Sequence, residues 1–136
     1  MSERFIDNGD GTLTDNRTGL MWAKDAGTPA VGSCAGGIKT WQGALDYVTC
    51  LNGINHLGHS DWKLPGVGEL KSLVIVDKRN SFFRFVAQGF TNVQSDGYWS
   101  SSSYADGTYD AWVVWMRDGY MYYNSKTYDG FVWPVR

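Results

Sequence analysis

The stretch "AWVVWMRDGYMYY", Ala111 to Tyr123, decides the fold class. Apolar and aromatic residues alternate on both sides of Asp118-Gly119, a pair typical of hairpin turns, so the stretch predicts two antiparallel strands. Successive side chains of a strand point to opposite faces. The face that we expect to be core holds Trp112, Val114, Met116, Met121 and Tyr123. The opposite face holds Val113, Trp115, Tyr120 and Tyr122 and would form an aromatic surface.

Residues 120–131 place four tyrosines among Asp, Asn, Ser, Thr and Gly. Two interpretations of these rings stay open. Exposed tyrosine in such surroundings is typical of binding loops, because the ring gives contact area at low entropy cost and its hydroxyl forms hydrogen bonds. The same rings could instead pack half-buried on a second sheet or in an oligomer interface.

The segments upstream predict a strand meander followed by two helices. Turn residues interrupt apolar pieces over residues 4–24, and the carboxylates there (Asp7, Asp10, Asp15) read as turn residues, since a calcium loop would need a closing Glu. Thr40 is a good N-cap and Gly53 a good C′ residue for a first helix. Its buried stripe would hold Trp41, Ala44, Leu45, Val48 and Leu51. A second helix after Pro65 would turn Leu70, Leu73 and Val74 inward. The fold class is therefore α+β, with two helices on a mainly antiparallel sheet.

Length and charge exclude several function classes. A chain of 136 residues is expected to form a single domain with a sizeable core. A net charge of −2 gives no basic field for nucleic acid, and no apolar run is long enough to span a bilayer. The start lacks an apolar segment of the signal-peptide kind, so we expect no signal peptide in this chain.

Catalytic and metal-binding motifs are weak. Cys34 and Cys50 could form a disulfide or remain free, and with His56 and His59 they could form a zinc set, although the cysteines are not closely paired as zinc ligands usually are. The run Ser100–Ser103 lacks a nucleophile elbow and an assignable His–Asp pair. No cofactor is expected.

Three blocks carry a family resemblance: "DNGDGTLTDNRTGLMWAK" (7–24), "SDWKLP" (60–65) and the serine- and tryptophan-rich piece at 98–119, closed by "PVR". Together they resemble the Lcl C-terminal-domain family, a branch of the C-type lectin-like fold close to the formylglycine-generating-enzyme type. The chain departs from the family pattern at Lys63, Gly66 and Trp133, where Arg, Thr and Arg are common. The oxidase chemistry of that enzyme type needs a C-terminal cysteine pair, and both cysteines here precede residue 51, so we expect no enzyme.

The resemblance implies a scaffold for ligand binding, and some relatives resemble the variable proteins of diversity-generating retroelements. In those proteins AAY codons become NNY codons, a set that excludes Met, Trp, Lys, Gln and Glu. Within residues 120–131 only Met121 and Lys126 fall outside that set. We therefore expect residues 1–97 to be scaffold and residues 98–136 to be a variable binding region.

The ligand-binding residues predicted on this basis are Tyr104, Asp106, Tyr109, Asp110, Tyr120, Tyr122, Asn124, Ser125, Tyr128 and Phe131, with Trp115 and Trp133 as a fixed aromatic floor. The expected partner is a protein or a glycan, without nucleic acid or membrane insertion, and a homo-oligomer is compatible with the sequence. The alternative is a glycan or host-surface adhesin domain of fixed specificity. A weaker alternative is a metal protein or enzyme that uses Cys34, Cys50, His56 and His59. Core positions are expected at Trp22, Trp41, Leu45, Trp62, Leu64, Leu70, Trp99 and Trp112.

Overall fold

The computed structural model describes residues 4–73, 89–103, 109–117 and 119–136. Within these residues lie two α-helices and two three-stranded antiparallel sheets. The α+β class predicted from the sequence is therefore confirmed. Val74, predicted to turn inward from the second helix, lies outside the described residues, as do Tyr104 and Asp106 of the predicted binding face. No helix among the described residues is long and apolar enough to cross a membrane.

The first sheet is the predicted N-terminal meander, β1 (Phe5–Asp7), β2 (Thr12–Asp15) and β3 (Met21–Ala23). The C-terminus extends this sheet, because the backbone N–H groups of Met21 and Arg136 each donate to the other residue's carbonyl at 2.8 Å. The last residues of the chain therefore lie beside β3, on the edge of the meander away from β1. Of the three meander carboxylates, Asp7 and Asp10 accept turn N–H groups and Asp15 pairs with Arg4, as their turn interpretation predicts.

The first helix, α1 (Trp41–Gly53), begins after Thr40 as predicted, but the prediction of Gly53 as the C′ residue is wrong, because Gly53 is the last residue of the helix and Ile54 is its C-cap. The Thr40 hydroxyl accepts the Gly43 N–H at 3.2 Å, so the predicted N-cap is confirmed. A disulfide joins Cys50 on this helix to Cys34 in the preceding glycine-rich loop. That loop also holds the C-terminal segment, since the Lys39 and Gly130 backbones exchange hydrogen bonds at 2.8 Å.

The second sheet contains β4 (Gly97–Ser103), β5 (Asp110–Trp115) and β6 (Met121–Ser125), in that order. β5 and β6 form the hairpin that the alternating stretch predicts, with Val113 opposite Tyr122. The other side of β4 bridges to Phe131 through Tyr98. Among the described residues β6 is therefore an outer strand, and it carries Tyr122 and Tyr123. The short second helix, α2 (Val67–Leu73), packs near β4 and β5.

Both faces of β5 are buried, which the alternation did not predict. Val114 and Met116 join one apolar cluster with Trp22 and Trp133, whereas Ala111 and Val113 join a second cluster. The prediction that Val113 lies on an exposed aromatic surface is therefore wrong.

The predicted core positions divide into fully buried and half-buried groups. The fully buried ones are Trp22, Trp62, Leu64, Leu70 and Trp99. The half-buried ones are Trp41, Leu45 and Trp112.

Candidate functional site

Three neighbouring aromatic rings lie at the turn end of the β5–β6 hairpin, and we call them the aromatic shelf: Trp115, Tyr120 and Tyr122. The Trp115 and Tyr122 rings are stacked, with centroids 5.7 Å apart and planes at 13°. Tyr120 follows, with its centroid 6.2 Å from that of Tyr122. The Arg117 guanidinium lies 5.7 Å from the Trp115 ring centroid, which is cation–π distance.

Strand register and a tight turn place the shelf. Tyr122 lies opposite Val113, and the Trp115 N–H donates to the Tyr120 carbonyl at 2.8 Å. The shelf residues therefore occupy alternate positions on one side of the hairpin, as the sequence predicted. Gly119 has φ +77°, a conformation that most other residues avoid, and its N–H donates to the Trp115 carbonyl.

Exposure separates these rings from core rings. Tyr120 is 66% exposed, whereas Trp115 and Tyr122 are half-buried. Burial raises the pKa of Tyr122, an effect opposed by the Asn124 amide, which donates to the Tyr122 hydroxyl at 3.5 Å. The predicted site residues Trp115, Tyr120, Tyr122 and Asn124 thus share one surface.

A second group of predicted residues lies at the far end of the same hairpin. Asp110 pairs with Ser125 in the strand register, and the Tyr128 N–H donates to the Ser125 carbonyl at 2.9 Å. Tyr109 and Tyr128 are strongly exposed, at 81% and 59%. The exposed rings therefore extend along the hairpin, and we call Tyr109, Trp115, Tyr120, Tyr122 and Tyr128 the aromatic strip. Asp110 and Ser125 lie on the side of Trp112 and Tyr123, opposite the shelf.

Two predicted site residues lie inside the protein. Trp133 is fully buried and donates its indole N–H to the Ala23 carbonyl at 3.0 Å, so its assignment to the floor of the binding face is wrong. Its ring lies among Trp22, Phe90 and Tyr98. Phe131 is half-buried, with its ring centroid 5.7 Å from that of Tyr98. The parallel bridge to β4 turns this segment toward the core, which strand alternation by itself does not reveal.

Met121 and Tyr123 are more exposed than the alternation predicted. Both were predicted as core, yet they are 42% and 47% exposed. Their partner Trp112 is half-buried and meets Tyr123 edge to face, with centroids 6.0 Å apart. Because β6 is an outer strand, it exposes side chains on both faces.

A pocket of about 480 Å³ between the start of α1 and the end of β6 was not predicted as a site. The Lys126 ammonium lies 3.9 Å from the Trp41 ring centroid and donates to the Ser103 hydroxyl at 3.0 Å. The sequence offered no signal for this contact, since it joins residues 85 positions apart (126 − 41). The described residues that line the pocket are Thr40, Trp41, Gln42, Lys126 and Thr127.

A cleft of about 320 Å³ lies on the scaffold, between the first sheet and α1. Its lining includes the polar residues Lys24, Asp25, Tyr47, His56 and Thr91. Leu57 also lines it, in a left-handed conformation with φ 54°. Burial lowers the pKa of His56 and raises that of Tyr47 to about 12, so both side chains are neutral at neutral pH.

The proposed zinc set is wrong. Cys34 and Cys50 are bonded to each other and therefore offer no thiolate ligands. His56 and His59 instead lie around the Trp62 ring, with centroids about 6 Å away. No cluster of three metal-ligating side chains occurs within the described residues.

The fold and site define an α+β domain that carries an exposed aromatic strip on an outer hairpin. The sequence matches the family model of the Lcl C-terminal domain over residues 11–136. That match covers most of the chain, so the protein belongs to the Lcl C-terminal-domain family, as the three sequence blocks indicated. No curated protein shows a significant match to the sequence.

Proposed function

We propose that this domain is a non-enzymatic ligand-binding module whose contact surface is the aromatic strip of the β5–β6 hairpin. The observation that carries the proposal is the distribution of exposed large apolar side chains. Five of the eight found among the described residues lie within residues 109–128. Three of these, Tyr109, Tyr120 and Tyr128, belong to the strip, whereas Met121 and Tyr123 lie on the opposite face of β6. A concentrated exposed apolar patch indicates an interaction site, whereas scattered exposed residues are ordinary.

The chemistry of the strip suits non-covalent recognition of a protein or a glycan. Tyr120, Tyr109 and Tyr128 offer rings with polar tips, which accept both apolar packing and hydrogen bonds. The Trp115–Tyr122 stack restricts two of the rings before binding, so less entropy is lost when a ligand docks. A rigid anchor beside mobile polar side chains is the arrangement of antibody-type contact surfaces.

A C-type lectin-like scaffold diversified by a retroelement is the specific form that we propose. Family membership and the permitted residues along the strip support it. Met121, outside the permitted set, is exposed rather than core, so packing does not explain why it would stay constant. An adhesin of fixed specificity remains the second candidate. A nearby genomic copy of the C-terminal coding segment that differs from it at adenines would favour the diversified protein over the adhesin.

The test compares two triple variants on arrays of glycans and of surface proteins. Tyr120→Ser/Tyr122→Ser/Tyr128→Ser is expected to lose every ligand that the wild-type protein binds. The matched control, Ile6→Ser/Ile38→Ser/Ile54→Ser, removes three exposed apolar residues outside the strip and is expected to retain them. Circular dichroism checks that both variants fold. Equal binding by the two variants would overturn the proposal.

A further inference from the structure

We infer that the pocket between Trp41 and Lys126 binds a single carboxylate, supplied by an acidic side chain of a protein ligand. This inference rests on the proposed function, because the pocket lies at the β6 end of the aromatic strip. It names a charged anchor that neither the family match nor the aromatic residues assign.

The Lys126 ammonium is held in place but remains available. The Trp41 ring lies 3.9 Å below it and the Ser103 hydroxyl accepts one of its hydrogen bonds at 3.0 Å. An ammonium has three N–H donors, so donors remain for a ligand. The ion pairs found among the described residues use Arg4, Lys24, Lys63 and Arg136 and do not include Lys126.

The backbone fixes this cation relative to the strip. The Lys126 N–H donates to the Tyr109 carbonyl at 2.7 Å, and the Lys126 carbonyl accepts the Trp41 N–H at 3.1 Å. One end of α1 is thereby tied to the end of the hairpin. A ligand that covers exposed Tyr109 and Tyr128 would meet the ammonium at a defined position.

The single positive charge in the pocket lining favours a carboxylate over a phosphate or sulfate. Lys126 is the one charged side chain among the described residues that line the pocket. Groups with a higher charge are usually held by several cations or by paired arginines. The net charge of −2 also provides no general attraction for a polyanion.

Ring geometry favours an acidic amino acid over a sugar acid. Sugars dock by laying a face on an open aromatic ring, but Lys126 covers the solvent side of Trp41, and Trp41 also packs against the apolar cluster around α1. Thr127 lines the pocket, and its hydroxyl is hydrogen-bonded to that of Ser125 at 2.8 Å, which leaves one O–H donor of this pair for a ligand. Together these groups suit a carboxylate that arrives on a flexible side chain.

The test is an NMR titration of isotope-labelled protein with N-acetylglutamate α-amide, which carries one carboxylate. The Trp41 indole N–H, which donates to the Ser100 carbonyl at 2.9 Å, and the Gln42 amide report on the pocket. We expect saturable shifts at both signals and at least about tenfold weaker binding by the neutral N-acetylglutamine α-amide. Equal binding of the two probes would overturn the inference.

Variants complete the test. Lys126→Gln is expected to abolish the shifts and Lys126→Arg to retain them. Arg17→Gln, an equal charge loss at an exposed position after β2, should change nothing. Stronger shifts with methyl glucuronide or inorganic sulfate than with the glutamate probe would also overturn the inference. A further variant, Asp106→Asn, removes a carboxylate that lies in sequence between Ser103 and Tyr109. If the probe binds this variant but not the wild-type protein, the chain fills its own pocket, and the inference of an external ligand is overturned.

The aromatic strip is tested separately. The Tyr120→Ser/Tyr122→Ser/Tyr128→Ser variant should bind the small probe like wild type, because the probe contacts only the pocket. If this variant loses array ligands while the probe fails to bind wild type, the carboxylate inference fails alone. If the probe binds but the variant keeps its array ligands, the proposed function fails alone.

Discussion

Two aromatic groups of this protein have similar composition and opposite environments. Around Trp133, the rings of Trp22 and Phe90 meet it nearly edge to face, at 70° and 89°, and all three are buried. In the shelf, Trp115 and Tyr122 lie almost parallel and Tyr120 is mostly exposed. Rings enclosed from several directions stabilise the fold, whereas rings stacked along an outer strand keep surface for a partner. Composition alone does not separate these two roles.

The largest expected effect comes from truncating one tryptophan of each group. Trp133→Ala should lower the free energy of unfolding by about 4 kcal/mol, because it opens a cavity in the core. Trp115→Ala should lower it by less than about 1 kcal/mol, since its ring already contacts solvent. Urea denaturation followed by circular dichroism measures both. Comparable losses would mean that the shelf is packing material.

A buried ion pair gives the next largest effect and belongs to the scaffold side of the comparison. Arg4 donates two hydrogen bonds to the fully buried Asp15 carboxylate, at 2.9 and 2.8 Å. Asp15→Asn should cost about 3 kcal/mol, because it leaves a buried guanidinium without its counter-charge. The same urea experiment applies, with Asp61→Asn as control, since Asp61 is an exposed partner of Arg136. A similar loss in both variants would contradict the assignment.

Acid should reproduce the loss at Asp15. Burial alone would raise its pKa, but the hydrogen bonds from Arg4 and from the Arg17 N–H lower it on balance. Since the folded pKa lies below the unfolded value of about 3.9, the stabilisation is complete above that pH and is lost as pH falls through the folded pKa. The wild-type protein should therefore lose more stability than Asp15→Asn when pH is lowered from 5 to 3.

The disulfide should contribute less. Cys34→Ala/Cys50→Ala releases a short loop, and we expect it to cost about 2 kcal/mol. Thermal unfolding of the variant and of reduced wild type checks the value, and mass spectrometry confirms the bond. Because the loop also contacts Gly130 through Lys39, we compare array binding in the same variant. Retained binding would show that the strip does not depend on the bridge.

The smallest expected effect leaves stability unchanged. Mild iodination of the folded protein should label Tyr120 and Tyr128, which are 66% and 59% exposed, before Tyr47 and Tyr98, which are buried. Peptide mapping by mass spectrometry gives the order. Protection of Tyr120 and Tyr128 in the native protein would assign the strip to packing or to an oligomer interface.

Local sequence signals predicted much of the fold. The turn residues of the meander, the Thr40 cap and the alternation around Asp118-Gly119 each act within a few residues of the chain. Their outcomes, the first sheet, α1 and the β5–β6 hairpin, agree with expectation. The family match rests on the same blocks.

The errors arose where burial depends on a distant segment. Trp133 and Tyr120 are both large aromatic residues in strand-like surroundings, yet one is enclosed and the other is exposed. Alternation divides a strand into two faces, but it cannot say whether one, both or neither is covered. β5 is covered on both faces and β6 is an outer strand, so Val113 is buried and Met121 is exposed.

The sequence by itself determined the α+β class, the positions of the capped helix and the hairpin, and the shared side of Trp115, Tyr120 and Tyr122, because these depend on local backbone preference and strand period. Only the tertiary structure decided that Trp133 is core, that Cys34 and Cys50 are bonded, and that Lys126 meets Trp41. Those contacts join residues far apart in the chain, and their energies follow from which surfaces exclude water once the whole chain has packed.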